Sequence, residues 1–316
     1  VPVPAPAPVQ APAPALGLAP GVIVDSRYEV LRLLGKGAMA SVYRVKHLGL
    51  QSEHALKVLN PELGAVPDLR SRFLAEGQIQ AQLRHPNIVQ VTEIVTTPVA
   101  GLVMELVEGK SLDGWLADRK GKVTLREMLE LFLPVLDALG AAHRFGVVHR
   151  DLKPENILIG TGLDGRPQPK VTDFGIAKVA GQLQVSAARR TVAGTRMGTL
   201  LYMSPEQIRG AEDLDARSDI FALGTILYEL VTGKVAFDRA TEFDTMKAIV
   251  EGDFVPPEQL VSNLPVGLRQ ALRTAMAIAP AKRYPNCAAF GAALEAVRMP
   301  DPKVPARPTT ASTLPP

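Results

Sequence analysis

The hydrophobic and polar positions divide the chain into a strand-rich part followed by a helix-rich part. Segments 28–34, 41–47 and 54–59 read as three strands, and the β-branched, apolar segments 89–96 and 101–107 as two more. Between the two groups, Asp68 is placed to cap a helix running through Phe73, Glu76 and Ile79 to about residue 84, with His85, Pro86 and Asn87 ending it. Gly77 lies inside that helix, where glycine costs about 1 kcal/mol relative to alanine, so the pattern predicts a loosely held helix. Beyond residue 107 the period changes. Thr124 and Glu127 have the spacing of a capping box, and Leu125, Met128, Leu131, Phe132, Val135 and Leu139 follow at helical intervals. Further helices are expected near 219–232, 241–251, 265–277 and 286–297. The fold class read from this order is α+β: five strands with one helix, then a larger, mostly helical unit.

Composition sets the limits of this block. Residues 1–20 carry seven prolines and no charge, a pattern that favours extended polyproline II and builds no core. Residues 1–21 are therefore expected to be a linker, 299–316 a Pro/Thr-rich disordered tail, and 22–298 the single ordered domain, without internal repeats. A net charge of +3, from 35 basic and 32 acidic residues, argues against nucleic acid or a membrane surface as partner. The one cysteine, Cys287, excludes an intrachain disulfide and fits a reducing compartment. No apolar run reaches the ~18 residues of a membrane span. A cytoplasmic location is expected, leaving open an anchor outside residues 1–316.

The chemistry is concentrated in two strings. His149-Arg150-Asp151-Leu152-Lys153-Pro154-Glu155-Asn156 is followed, seventeen residues past the asparagine, by Asp173-Phe174-Gly175. Together they supply two carboxylates, an amide and an ammonium, the groups needed to hold metal-bound ATP and orient a hydroxyl. Upstream, Gly35-Lys36-Gly37-Ala38-Met39-Ala40-Ser41-Val42 lies between two strands. It is not a Walker sequence, since no Gly-Lys-Ser/Thr ends it. It is not a dinucleotide turn either, since a strand and not a helix follows.

With these strings the chain resembles the eukaryotic-type protein serine/threonine kinases, in particular their bacterial branch, over about residues 27–297. The resemblance implies a bilobal protein kinase fold, with a small antiparallel five-strand lobe (about 22–106) and a larger helical lobe (about 107–298). It implies ATP and Mg2+, or Mn2+, as cofactors, protein substrates as partners, and a homodimer formed through the kinase domain. Asp151 would be the catalytic carboxylate, Lys153 would neutralise the transferring group, and Asn156 and Asp173 would ligate the metal. Lys57 would pair with Glu76 and hold the ATP phosphates. The glycine-rich turn, with Leu34, Gly35, Lys36 and Gly37, would cover those phosphates, although Ala40 stands where the family has a third glycine. Val42, Ala55 and Leu158 would sandwich the base, beside Met104, Glu105 and Val107. His149 and Phe174 are expected as internal packing posts, Glu206 as the partner of Arg283, and Asp219 as the support of the catalytic loop.

Lys153 and the segment from Gly198 to Glu206 resemble the serine/threonine class, in which Thr199 would bond to Asp151 and Lys153. Arg150 and Lys178 would form a pocket for a phosphorylated residue, with Thr195 first, Thr191 second and Ser186 third as candidates. Two other classes share these strings: a pseudokinase scaffold and a small-molecule phosphotransferase. The intact polar set argues against the first, and the segment from Gly198 to Glu206 against the second.

Overall fold

The computed structural model describes residues 17–119, 124–162, 164–174, 200–211 and 213–297. The small lobe is an antiparallel sheet of six strands: β1 (Ile23–Val24), β2 (Tyr28–Lys36), β3 (Ala40–His47), β4 (Glu53–Leu59), β5 (Val91–Val95) and β6 (Gly101–Glu105), in the order β1-β2-β3-β4-β6-β5. The sixth strand, β1, was not expected. It is two residues long and pairs with the start of β2, too short to show a period in sequence. One sheet face buries Tyr28, Val30, Tyr43, Val45, Leu56 and Val103, and the other buries Ala55, Leu59, Leu102 and Met104 against the helix.

That helix, α2 (Pro67–Gln82), follows a single turn, α1 (Pro61–Gly64). Asp68 does not cap it. The cap position is Val66, and Pro67 opens the helix, because its fixed φ suits the first turn and its missing N–H leaves no orphan donor. Asp68 instead pairs with Arg72 one turn on, at 2.9 Å. Gly77 also plays a different part from the one its propensity suggests. A methyl built there would lie 2.2 Å from Leu102 Cδ2, so the absence of a side chain lets α2 press against the sheet. Leu102 is buried in the cluster between α2 and the sheet and has little room to move. Gly77→Ala is therefore expected to lower stability by about 1–2 kcal/mol, since overpacking outweighs the gain in helix propensity. Thermal unfolding checks this, and Leu102→Val in the same chain should recover most of the loss by removing the clashing atom.

The large lobe is helical: α3 (Leu112–Arg119), α4 (Leu125–Arg144), α5 (Pro205–Ile208), α6 (Ala216–Thr232), α7 (Glu242–Glu251), α8 (Pro257–Leu260), α9 (Val266–Ala275) and α10 (Cys287–Glu295). The Thr124–Glu127 capping box opens α4, which buries Met128, Leu131, Phe132, Val135 and Leu139. Asp215, Thr241 and Asn286 cap α6, α7 and α10 with their side chains. At the centre, α6 is buried along most of its length, from Ser218 to Tyr228. A second small sheet, β7 (Lys110–Ser111), β8 (Ile157–Thr161) and β9 (Pro167–Val171), lies at the junction of the lobes.

Candidate active site

The site is assembled where β9 runs into the segment carrying Asp173. Val89 and Val171 exchange backbone contacts with this junction: Val89 N donates to Val171 O and Val171 N to Asn87 O, both at 2.8 Å. Thr172 N then donates to Asn156 O at 2.9 Å. The backbone therefore fixes Asp173 beside Asn156. The Asn156 side chain donates Nδ2 to Asp151 O at 2.8 Å, which ties the metal-ligand candidate to the carboxylate-bearing turn and leaves Oδ1 for a ligand. Both Arg150 and Asp173 have φ near +60°, a left-handed conformation that non-glycine residues adopt where surrounding contacts enforce it.

Those contacts are visible below the turn. Buried Asp219, in α6, accepts from His149 N at 2.8 Å and from Arg150 N at 2.9 Å, and its Oδ2 also meets the His143 ring at 2.8 Å. Burial opposes ionisation of Asp219, but these donors outweigh it and hold the carboxyl below its ordinary range. His149 and Phe174 are fully buried, with ring centroids 4.8 Å apart. Gln207 of α5 donates Nε2 to Arg150 O at 2.7 Å.

Lys57 comes from β4, opposite Val42 of β3 and Leu102 of β6. Its ammonium lies 3.0 Å from Asp173 Oδ1. Glu76 of α2 acts on the same ammonium, so Lys57 stands in the field of both carboxylates. Asp173 follows the end of β9, and Glu76 lies on the buried face of α2. Burial alone would lower the Lys57 pKa, yet Asp173, Glu76 and Asp151 together raise it. Asp173 is lowered in turn, with Lys57 overcoming the effect of burial.

Beside these polar groups is an apolar cluster, the candidate slot for a ligand. Ala55 and Met104 are buried in it, and Val42, Val107 and Leu158 are half-buried against the same cluster. The slot therefore gathers residues from β3, β4, β6 and β8. Leu34, Gly35, Lys36 and Gly37 are exposed at its upper edge. On the outer side, Glu105 receives Lys170 Nζ on both oxygens at 2.9 Å and Gln90 N at 2.8 Å, linking β6 to β9 across the lobe junction.

In the large lobe, Arg283 grips Glu206 through two nitrogens at 2.6 and 2.8 Å. Near it, Tyr202 donates to Glu229 at 2.6 Å, and burial, with Glu155 and Asp113 adding, raises the Glu229 carboxyl. Sequence reasoning missed this Tyr202–Glu229 bond, the Lys170–Glu105 link and the contacts of Asn60 described below. In each case the partners are far apart in the chain and no local motif joins them. Thr199, Thr195, Thr191, Ser186 and Lys178 lie outside the described residues. Among the described residues no cluster of three His, Cys, Asp or Glu could hold a metal, and no helix is long and apolar enough to cross a membrane.

This arrangement of apolar slot, lysine and paired carboxylates agrees with the relationships of the chain. The protein kinase domain model matches residues 28–286. The serine/threonine-protein kinase PknA of Mycobacterium tuberculosis is 39% identical over 287 residues, covering 88% of this chain and 63% of that protein. A probable serine/threonine-protein kinase, PknB of Corynebacterium glutamicum, is 36% identical over 281 residues, covering 86% of this chain and 42% of its own length. The crystal structure of the Mycobacterium tuberculosis PknI kinase domain superposes with a TM-score of 0.67 at 30% identity, covering 89% of this chain and 99% of that one. The chain belongs to the protein kinase domain family, in its bacterial serine/threonine branch. It spans 63% or less of the length of these two curated relatives.

Proposed function

We propose that the chain is an ATP-dependent protein kinase that transfers the γ-phosphoryl group to serine and threonine hydroxyls of proteins. The observation that carries this reading is the convergence of Asp151, Asn156, Asp173 and Lys57 beside the apolar slot, each held by a contact given above. The slot takes the adenine, between Val42 and Ala55 on one side and Leu158 on the other. Lys57 holds the α- and β-phosphates. Asp151 orients the attacking hydroxyl and accepts its proton as the new O–P bond forms and the bond from the γ-phosphorus to the bridging oxygen breaks, leaving ADP. Lys153 neutralises the charge on the group in flight.

The donor set fits a hard divalent cation. Among the described residues Asn156 Oδ1 has no partner, its nitrogen being committed to Asp151 O, and Asp173 has Oδ2 beyond the oxygen bound to Lys57. Such an ion supplies charge stabilisation on the phosphates. Mg2+ in preference to Mn2+, pairing of two copies through the domain and a cytoplasmic location belong to the same proposal.

Regulation by phosphorylation is part of it. Arg150 adjoins Asp151, and a phosphate of about −1.5 to −2 charges on Thr195 or Thr191 would bond its guanidinium, with Lys178 beside it. Thr199 is assigned to the active site, with Asp151 and Lys153. Mass spectrometry of the active protein is expected to find phosphate on Thr195 or Thr191, with Ser186 third. Arg150→Ala should make activity indifferent to phosphatase treatment. Equal activity of the phosphorylated and dephosphorylated wild type would contradict this regulation.

A further inference from the structure

Asn60 follows directly on β4, three residues after Lys57, and reaches back to the glycine-rich turn with its side-chain amide and its backbone N–H. Its Nδ2 donates to Gly37 O and Ala38 O, both at 3.1 Å. Its backbone N–H donates to Met39 O at 2.9 Å, and its Oδ1 accepts from Ser41 Oγ at 3.0 Å. The remaining carbonyl of the turn, Ala40 O, accepts from Gly37 N at 2.8 Å. Four successive carbonyls, 37 to 40, are thus engaged inside the protein. The amides of Ala38 and Met39 donate to no acceptor among the described residues. A carbonyl oxygen facing a phosphate repels it, while a free amide attracts it, so this partition decides which ligand the turn can accept.

We propose that Asn60 is the positioning residue of the glycine-rich turn: it turns the carbonyls away from the nucleotide and presents the amides to the phosphates. The inference rests on the reading of this turn as the phosphate cover, and it adds the residue that sets the turn's conformation. It also accounts for the tolerance of Ala40. In this chain the turn is held by a side-chain clasp, so a third glycine is not needed for the backbone to keep its shape, and Ala40 is buried. Because Asn60 continues the strand that carries Lys57, and Ala40 pairs with Leu59 while Val42 pairs with Lys57, the turn and the lysine are set in one frame.

The clasp is tested by measuring the affinity of the 316-residue chain for ATP and for adenosine in the presence of Mg2+, in the wild type, Asn60→Ala and Ser41→Ala. Adenosine fills the apolar slot and has no phosphate to meet the turn. Asn60→Ala is expected to weaken ATP about tenfold and to change adenosine by less than twofold. Ser41→Ala removes one of the four bonds and is expected to weaken ATP by about two- to threefold. Unchanged ATP affinity in Asn60→Ala would overturn the proposal. So would an equal loss for ATP and adenosine with a lowered melting temperature, which would make Asn60 a fold-stabilising residue only. If the wild type itself bound ATP no more tightly than adenosine, the phosphate-cover reading would fall, and the proposal with it.

Discussion

Asp173→Ala and Lys57→Met are each expected to lower kcat at least a hundredfold while the protein stays folded. A hundredfold loss corresponds to about 2.7 kcal/mol of transition-state stabilisation. The two side chains meet at 3.0 Å in the cleft, and neither belongs to an apolar cluster, so their removal takes away charge at the reaction centre and not core packing. The effects should also be non-additive. Each residue holds the other in place, so the double variant is expected to be little worse than the poorer single one. Retention of more than a tenth of wild-type kcat by either variant, with circular dichroism unchanged, would remove that residue from the machinery.

Arg283→Ala is expected to be the most damaging single change to stability, at about 3–5 kcal/mol. Its side chain is fully buried and uses all three guanidinium nitrogens: Nε on Ala277 O at 2.7 Å, and Nη1 and Nη2 on both Glu206 oxygens, Arg217 O and Ile278 O. It also lies over the Phe221 ring, 4.9 Å from the centroid. Truncation leaves a carboxylate and three carbonyls without that donor. Lysine should not rescue it, because one ammonium cannot span the same directions. The pair also sets a pH dependence. Burial favours the neutral Glu206 carboxyl, but Arg283 and Ser218 outweigh it, so the folded-state pKa lies below the ordinary 4.5. A depressed carboxylate stabilises fully above its unfolded pKa and loses that contribution as pH falls through the folded value. Asp219, lowered from 3.8, acts in the same sense. Urea unfolding should therefore show wild-type stability falling below about pH 4.5, with a shallower slope in Arg283→Ala.

Much of this organisation was legible in the sequence because it is written locally. The Thr124–Glu127 box fixes the start of α4 within a few residues, and the apolar spacing after it fixes the buried face. The two chemical strings place Asp151, Asn156 and Asp173 because a short hairpin, β8 and β9, joins them. That hairpin itself was hidden. Pro167 and Pro169 make β9 look unlike a strand, and it is tolerated because β9 is an edge of its sheet. Gly77 shows a different limit. Its propensity is a local property, but its role depends on Leu102, 25 residues further along and on another element. The Lys57–Asp173 contact was hidden for a similar reason: the two residues are 116 positions apart, and no local motif joins them.

The measurement that tests the central claim most directly is transfer of label from γ-labelled ATP with Mg2+ to a generic protein substrate, followed by identification of the modified amino acids, in wild type and Asp151→Asn. The account predicts phosphoserine and phosphothreonine from the wild type, and at least a hundredfold less from Asp151→Asn, a loss of about 2.7 kcal/mol in transition-state stabilisation. Nucleotide binding without label on protein, or equal labelling by the two proteins, would contradict it.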